Sequence, residues 1–236
     1  MEREAVILAG GLGTRLRDVI EDLPKSMAPV SGLPLLTYIL EQLSKASFSK
    51  AVLAVGYKNQ SIISFYGDNY RELKLEYSVE DEPLGTGGAL LRASSLISTD
   101  HFFVFNGDTV FCIDLDDFER FFGVLKPDMA VALKPMKNFD RYGSVKIEKE
   151  RIISFDEKKQ CSEGLINGGI YILNKRWLRK NSPGEKFSFE KDIMEKRTSE
   201  DRISGYISDG YFIDIGIPED YVRAQTELPQ IFSLIR

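Results

Sequence analysis

The 236-residue chain has two cysteines, one histidine and one tryptophan. Cys112 and Cys161 are too few for a disulfide framework or a structural zinc site, and each reads as a thiol packed as a small hydrophobe. The lone His101 excludes a histidine-rich metal site and any triad that needs another histidine, and a surface position at a strand entrance accounts for it. Long apolar runs are missing too: no segment approaches the roughly eighteen residues of a membrane-spanning helix, and the opening MEREAVILAGG has no signal-peptide core. The expectation is a cytoplasmic protein with no membrane partner. Basic charge is not in excess, since 31 Lys and Arg against 36 Asp and Glu leave a net charge of -5. That balance gives no bulk attraction to a phosphate backbone, so no nucleic-acid partner is expected, although a local basic pocket is still open to a nucleotide. No linker rich in glycine, serine or proline divides the chain, and no repeat is visible.

What is present is an alternation of short apolar runs with helical periodicities. Ala5–Ala9, Ala51–Val55 and Phe102–Phe105 are continuous rather than alternating, as interior strands covered on both faces should be. Between them Leu35, Leu36, Ile39, Leu40 and Leu43 make one helix face, Ile62, Ile63 and Tyr66 a shorter one, and Gly87 to Leu96 a third helix. Asp128–Leu133 reads as a buried strand. Gly143–Ile147 and Arg151–Phe155 read as a hairpin with one wet face, and Gly168–Leu173 as a strand returning to the core. Helices are expected at Phe189 to Lys196 and Pro218 to Leu228, the latter with proline and glutamate in its first turn. The prediction is one α/β domain over 1–236 whose first half, about 1–125, handles a phosphate ligand and whose second half, 126–236, completes a cleft.

The strongest local signal is Leu8-Ala9-Gly10-Gly11-Leu12-Gly13-Thr14-Arg15-Leu16, directly after the first strand. Its glycines allow a sharp turn with N–H groups aimed at an anion, and Arg15 adds planar charged donors. It is neither a P-loop nor GxGxxG, so a phosphate loop and a purely structural glycine turn both stay open. Lys25, on a proline-flanked connection, is either a cation reaching over phosphates or a solvent-facing charge. Asp108 and Asp214 each follow an apolar strand, the end where ligands collect in open α/β sheets. Together they suit magnesium, and singly they suit turns or helix caps.

Gly10–Leu16 followed by Pro24-Lys25 resembles the signature of the sugar-1-phosphate nucleotidyltransferases. Glu80–Gly88, Asn106-Gly107-Asp108, Glu157-Lys158, Asn167–Tyr171 and Asp214–Tyr221 follow in that family's order, so the resemblance spans nearly the whole chain. Ala132–Gly143 and Phe187–Asp192 are most similar to the family's guanylyltransferases for D-glycero-α-D-manno-heptose 1-phosphate. The resemblance implies a Rossmann-like α/β nucleotidyltransferase fold with a central, mostly parallel mixed sheet flanked by helices. It implies transfer of GMP from GTP to the sugar 1-phosphate with release of pyrophosphate, and Mg²⁺ as cofactor. Leu8, Gly10, Gly11, Gly13 and Thr14 would cradle the nucleotide, with Arg15 and Lys25 on its phosphates and Glu80 and Gly85 at the base. Asp108 and Asp214 would place the metal. Lys158 would bind the sugar phosphate, and Gly143, Glu157, Asn167 and Gly168 would grip its hydroxyls.

These roles need no general base, because the nucleophile is already an anionic phosphate oxygen. An ionised Glu80 complements the two adjacent donors of guanine, whereas uracil and thymine offer one. Lys159 stands where many relatives have proline after the Glu-Lys pair. The length leaves no room after the matched region for the left-handed β-helix domain of many relatives, so neither acyl transfer nor its trimer is expected. Whether the chain forms a homo-oligomer is not legible. The competing readings are a mannose-1-phosphate guanylyltransferase, a uridylyl- or thymidylyltransferase for a hexose 1-phosphate, and a non-catalytic sugar-nucleotide-binding protein.

Overall fold

The uninterrupted apolar runs assemble side by side because each hides two faces. The computed structural model describes residues 2–11, 23–198 and 201–232. Its strands are β1 (Glu4–Leu8), β2 (Pro29–Val30), β3 (Leu33–Pro34), β4 (Lys50–Val55), β5 (Asn69–Tyr70), β6 (Leu73–Val79), β7 (His101–Asn106), β8 (Thr109–Phe111), β9 (Met129–Phe139), β10 (Gly143–Glu148), β11 (Arg151–Lys158), β12 (Cys161–Asn174), β13 (Ile203–Ile207) and β14 (Phe212–Asp214). Helices are α1 (Leu35–Lys45), α2 (Asn59–Tyr66), α3 (Gly85–Ala93), α4 (Leu115–Leu125), α5 (Lys175–Asn181), α6 (Glu195–Arg197) and α7 (Pro218–Phe232).

The main sheet runs β10-β11-β13-β9-β12-β7-β1-β4-β6-β5. β1 pairs in parallel with β4 and β7, β4 with β6, and β9 with β13. β12 is antiparallel to both β7 and β9, so β5, β11 and β12 run against the other strands. The mixed, mostly parallel sheet expected from the sequence is the one observed. Successive β1 side chains enter opposite cores: Ala5 and Ile7 join α1, α4 and α7 on one face, and Val6 joins α3 and α5 on the other. All five periodic residues of α1 are buried, each worth about 1.5–3 kcal/mol relative to exposure.

Of the expected helices two differ in start or winding and the last runs on to Phe232, while α4 and α5 have no counterpart in the sequence expectations. The third begins at Gly85 and ends as an α-helix at Ala93, with Ser94–Leu96 wound as a 3₁₀ turn. Its start moves because Phe187 threads past: the Gly87 N–H donates to the Phe187 carbonyl at 3.0 Å. Phe189–Met194 is π-helical, with the Glu195 N–H donating to the Glu190 carbonyl, before a single α turn. β12 is longer than the run Gly168–Leu173, because its first half also pairs with β9 and β10. His101 opens β7, lies 5.3 Å from the Phe122 ring and 3.9 Å from Glu119, and so packs as the composition suggests. Burial pushes the half-buried Cys112 thiol up to about 11, out of the reactive range. Among the described residues no helix is long and apolar enough to cross a membrane.

The base of β1 is anchored by a buried charge. Glu4 is 3% exposed and accepts from Ser98 N and Oγ, both at 2.6 Å, from Thr99 N at 3.1 Å and from Lys50 Nζ at 2.9 Å. Burial alone would raise this carboxyl, but the bonds from Ser98, Lys50 and Thr99 outweigh it and hold it at about 2, below its ordinary 4.5. A depressed folded-state value stabilises above pH about 4.5, and that stability is lost as pH falls through about 2. At 1.36 kcal/mol per unit the difference is about 3 kcal/mol. Glu4→Gln is expected to lower neutral-pH stability by an amount of that order and to remove the corresponding part of the stability loss between pH 4.5 and 2. Urea titrations of both proteins across that range check it.

Candidate active site

The carboxyl ends of β1, β4, β6 and β7 open onto a cleft of about 980 Å³. Leu8, Gly10 and Gly11 continue from β1, Glu80 and Gly85 follow β6, Asp108 follows β7, and Lys25 enters from a 3₁₀ turn, Lys25–Met27. Ser26 Oγ donates to the Ala9 carbonyl at 3.2 Å, and Lys25 N to the Gly11 carbonyl at 3.4 Å, so this turn is laced to the glycine-rich strand exit. Gly13, Thr14 and Arg15 lie outside the described residues.

Lys25 Nζ donates to Asp108 Oδ2 at 2.6 Å and to Asp214 Oδ1 at 3.4 Å. The carboxylates meet because β14 pairs with β8, setting Asp214 opposite Thr109, and because the Ile215 N–H donates to the Asp108 carbonyl at 3.2 Å. Burial first, then the charge of Asp108, raises the Asp214 carboxyl above its ordinary value, while Lys25, the Gly216 N–H and Arg141 oppose the rise. Two oxygen-donor anions sharing one ammonium fit a hard divalent cation such as magnesium. Among the described residues no group of three His, Cys, Asp or Glu gathers around a metal position.

Glu80 is not a free surface acid. Its Oε2 accepts from the Leu84 N–H at 3.1 Å, which closes the acidic loop back on itself. At Gly85 the chain turns with φ +74°, and an added Cβ would sit 2.5 Å from the Phe187 carbonyl. Glycine is required there for backbone reasons.

The remaining sequence-derived residues lie on the other half of the sheet and do not line this cleft. Gly143 of β10 pairs with Lys158 of β11, and its Cβ position faces the Asp156 carbonyl at a bulge in the register. Glu157 and Lys158 are exposed. Lys146 and Lys159 both reach Asp156, at 3.0 and 3.8 Å, whereas Lys158 has no ion pair among the described residues. Asn167 and Gly168 occupy a register shift in β12. There Asn167 Nδ2 donates to the Tyr171 hydroxyl at 2.8 Å, and Gly168 is buried against the Phe111 ring.

The hairpin half reaches the carboxylates through Arg141, a residue the sequence reading assigned no role. Its guanidinium lies 3.9 Å from Asp214 and pairs with Asp220 in the first turn of α7. Thr86 and Glu190, also without an assigned role, face the cleft and contact each other across 104 positions of chain. No local spacing announces such a contact.

A family model described as Nucleotidyl transferase matches residues 4–231. The chain is 49% identical over 226 residues to D-glycero-alpha-D-manno-heptose 1-phosphate guanylyltransferase of Aneurinibacillus thermoaerophilus, covering 95% of this chain and 98% of that one. It is 43% identical over 219 residues to the enzyme of the same name from Campylobacter jejuni subsp. jejuni, covering 92% and 96%. The crystal structure of HddC from Yersinia pseudotuberculosis complexed with GMP-PN is 38% identical, with a TM-score of 0.84 over 94% of this chain and 98% of that one. A sheet of this order, a cleft at its strand ends and a match along nearly every residue lead to one conclusion: the chain belongs to the nucleotidyl transferase family, as an enzyme of its sugar-1-phosphate branch.

Proposed function

We propose that the enzyme transfers the guanylyl group of GTP to D-glycero-α-D-manno-heptose 1-phosphate, forming GDP-D-glycero-α-D-manno-heptose and pyrophosphate. This reading is supported by the two relatives named for that sugar phosphate, which match 95% and 92% of the chain. The observation that carries the chemistry is the meeting of Lys25, Asp108 and Asp214 beside the cleft. The first half, about 1–125, holds GTP, and 126–236 holds the sugar phosphate. The proposed setting is the cytoplasm, where the triphosphate is available.

In the reaction an oxygen of the sugar phosphate attacks the α-phosphorus, the bond from that phosphorus to the bridging oxygen breaks, and pyrophosphate carries away the electron pair. The nucleophile arrives charged, so no side chain has to remove a proton, and repulsion between the two substrates is the obstacle. Lys25 meets the phosphates at the reacting centre, Lys158 holds the phosphate of the sugar, and Arg15 takes the outer phosphates. Leu8, Gly10, Gly11, Gly13 and Thr14 bring backbone close to the nucleotide. Gly143, Glu157, Asn167 and Gly168 take the sugar hydroxyls. Asp108 and Asp214 would hold magnesium, which when bound neutralises charge on the triphosphate. Glu80 and the loop at Gly85 receive guanine. With Oε2 already accepting from Leu84, the remaining lone pairs of the carboxylate serve its N1 and N2 donors.

Three measurements test this assignment. Asp108→Asn and Asp214→Asn each remove an anionic ligand at nearly constant shape. Turnover is expected to fall by at least a hundredfold at limiting magnesium with the thermal transition retained, and near-wild-type turnover in both overturns the two-aspartate site. Glu80→Gln is expected to lower the GTP-to-UTP ratio of kcat/KM by about tenfold, since one acceptor becomes an NH₂ group facing a guanine donor. Lys158→Ala is expected to weaken sugar-phosphate affinity by about tenfold and leave GTP affinity unchanged in direct titration. The reverse pattern refutes the proposed division of roles between the two halves of the chain.

A further inference from the structure

Among the described residues, those lining the cleft come from the first 108 positions except for Glu190. It is carried there by the π-helical segment Phe189–Met194, an irregularity of the kind that gathers at functional sites. The carboxylate is held by hydroxyls on one side only. Thr86 Oγ1 donates to Oε2 at 2.6 Å, and Ser188 Oγ donates to the same oxygen at 3.1 Å. Thr86 also accepts from the Phe189 N–H at 2.9 Å, which ties the backbone and the side chain of this segment to the first turn of α3. Among the described residues no hydrogen bond reaches Oε1.

A carboxylate that lines a cleft for highly charged phosphates, with one oxygen fixed and the other without a hydrogen bond among the described residues, repels those phosphates. Its natural ligand is a neutral donor, and the neutral donors of these substrates are hydroxyls and base N–H groups. The surroundings favour hydroxyls of the sugar. The Phe189 ring packs edge-on against Tyr171 at 5.5 Å. Burial first, and then the charge of Glu190, push the Tyr171 hydroxyl upward. That hydroxyl is the partner of Asn167 at the register shift in β12. Glu190 therefore stands on the flank where the second half of the chain meets the cleft.

We propose that Glu190 is a specificity-determining residue that accepts hydrogen bonds from hydroxyls of the sugar 1-phosphate through Oε1, with Thr86 and Ser188 fixing the other oxygen. The assignment rests on the reading of the chain as a sugar-1-phosphate guanylyltransferase. Its physical basis is directional: a sugar lacking the matching hydroxyl leaves a desolvated carboxylate oxygen unpaired, which discriminates far more than an apolar wall does.

Steady-state kinetics of the wild type, Glu190→Gln and Thr86→Val, with GTP against heptose and mannose 1-phosphates, test it. Glu190→Gln keeps an acceptor for Thr86 and the shape of the side chain. It is expected to raise KM for the preferred sugar 1-phosphate tenfold or more and to leave KM for GTP within twofold. Thr86→Val keeps the charge but frees the side chain from its anchor, and the same KM is expected to rise by a smaller factor. A rise in KM for GTP with the sugar KM unchanged overturns the proposal in favour of a ribose or base contact. Unchanged values for both substrates overturn it in favour of a solvated acid. If Glu190→Gln does not fold, Glu190→Asp, which retains the charge and withdraws Oε1, is judged by the same two KM values. A wild type that prefers mannose 1-phosphate refutes the heptose assignment instead, and Glu190 is then judged on mannose 1-phosphate, so the two failures are distinguishable.

Discussion

Two carboxylates drawn from positions 108 and 214 repel each other, and the charged cluster beside the cleft depends on what holds them together. Backbone does the first part: β14 pairs with β8, and the Ile215 N–H bonds the Asp108 carbonyl. Lys25 does the second by donating to both side chains. The repulsion is not fully relieved, since Asp214 is still raised by its burial and by Asp108. A site in that condition attracts further positive charge. Two cations answer that excess of anion: Lys25, which bonds both carboxylates, and Arg141, which lies beside Asp214 and also pairs with Asp220.

The sheet decides how the second half reaches this centre. β12 inserts antiparallel between β7 and β9, which brings the hairpin of β10 and β11 onto the sheet that carries the cleft. Its register shift at Asn167 to Tyr171 interrupts the ladder where Asn167 and Tyr171 bond each other. Strand irregularities of this kind re-aim side chains beside sites. Besides Asp214 itself, Arg141 brings residues beyond position 125 against the carboxylates, and Glu190 brings them into the cleft.

Elements with strong period or uninterrupted apolarity were legible in the sequence. β1, β4 and β7 lie where the continuous runs do, and every α1 residue chosen for its spacing is buried. The resemblance implies a nucleotide site at the glycine-rich strand exit, Lys25, Glu80 and Asp108, and their described parts line one cleft. Less legible were the bounds of α3 and the π-helical winding at Phe189, because both answer to Phe187 and Thr86 contacts spanning about a hundred positions. Gly85 belongs with them, since besides its positive φ an added Cβ would meet the Phe187 carbonyl about a hundred positions away.

By itself the sequence determined which strands are buried, where the α1 stripe lies, and which residue types stand ready at each strand exit, since these follow from local periodicity and from chemistry carried within a few residues. Tertiary structure alone decided that Asp214 joins Asp108 on Lys25, that Arg141 bridges Asp214 and Asp220, that Glu80 closes on Leu84, and that Glu190 reaches the cleft on Thr86. Except for the Glu80 loop these are contacts between distant positions, set by strand order and register rather than by neighbours in the chain. Local preference cannot encode such pairings until the sheet has brought the segments together.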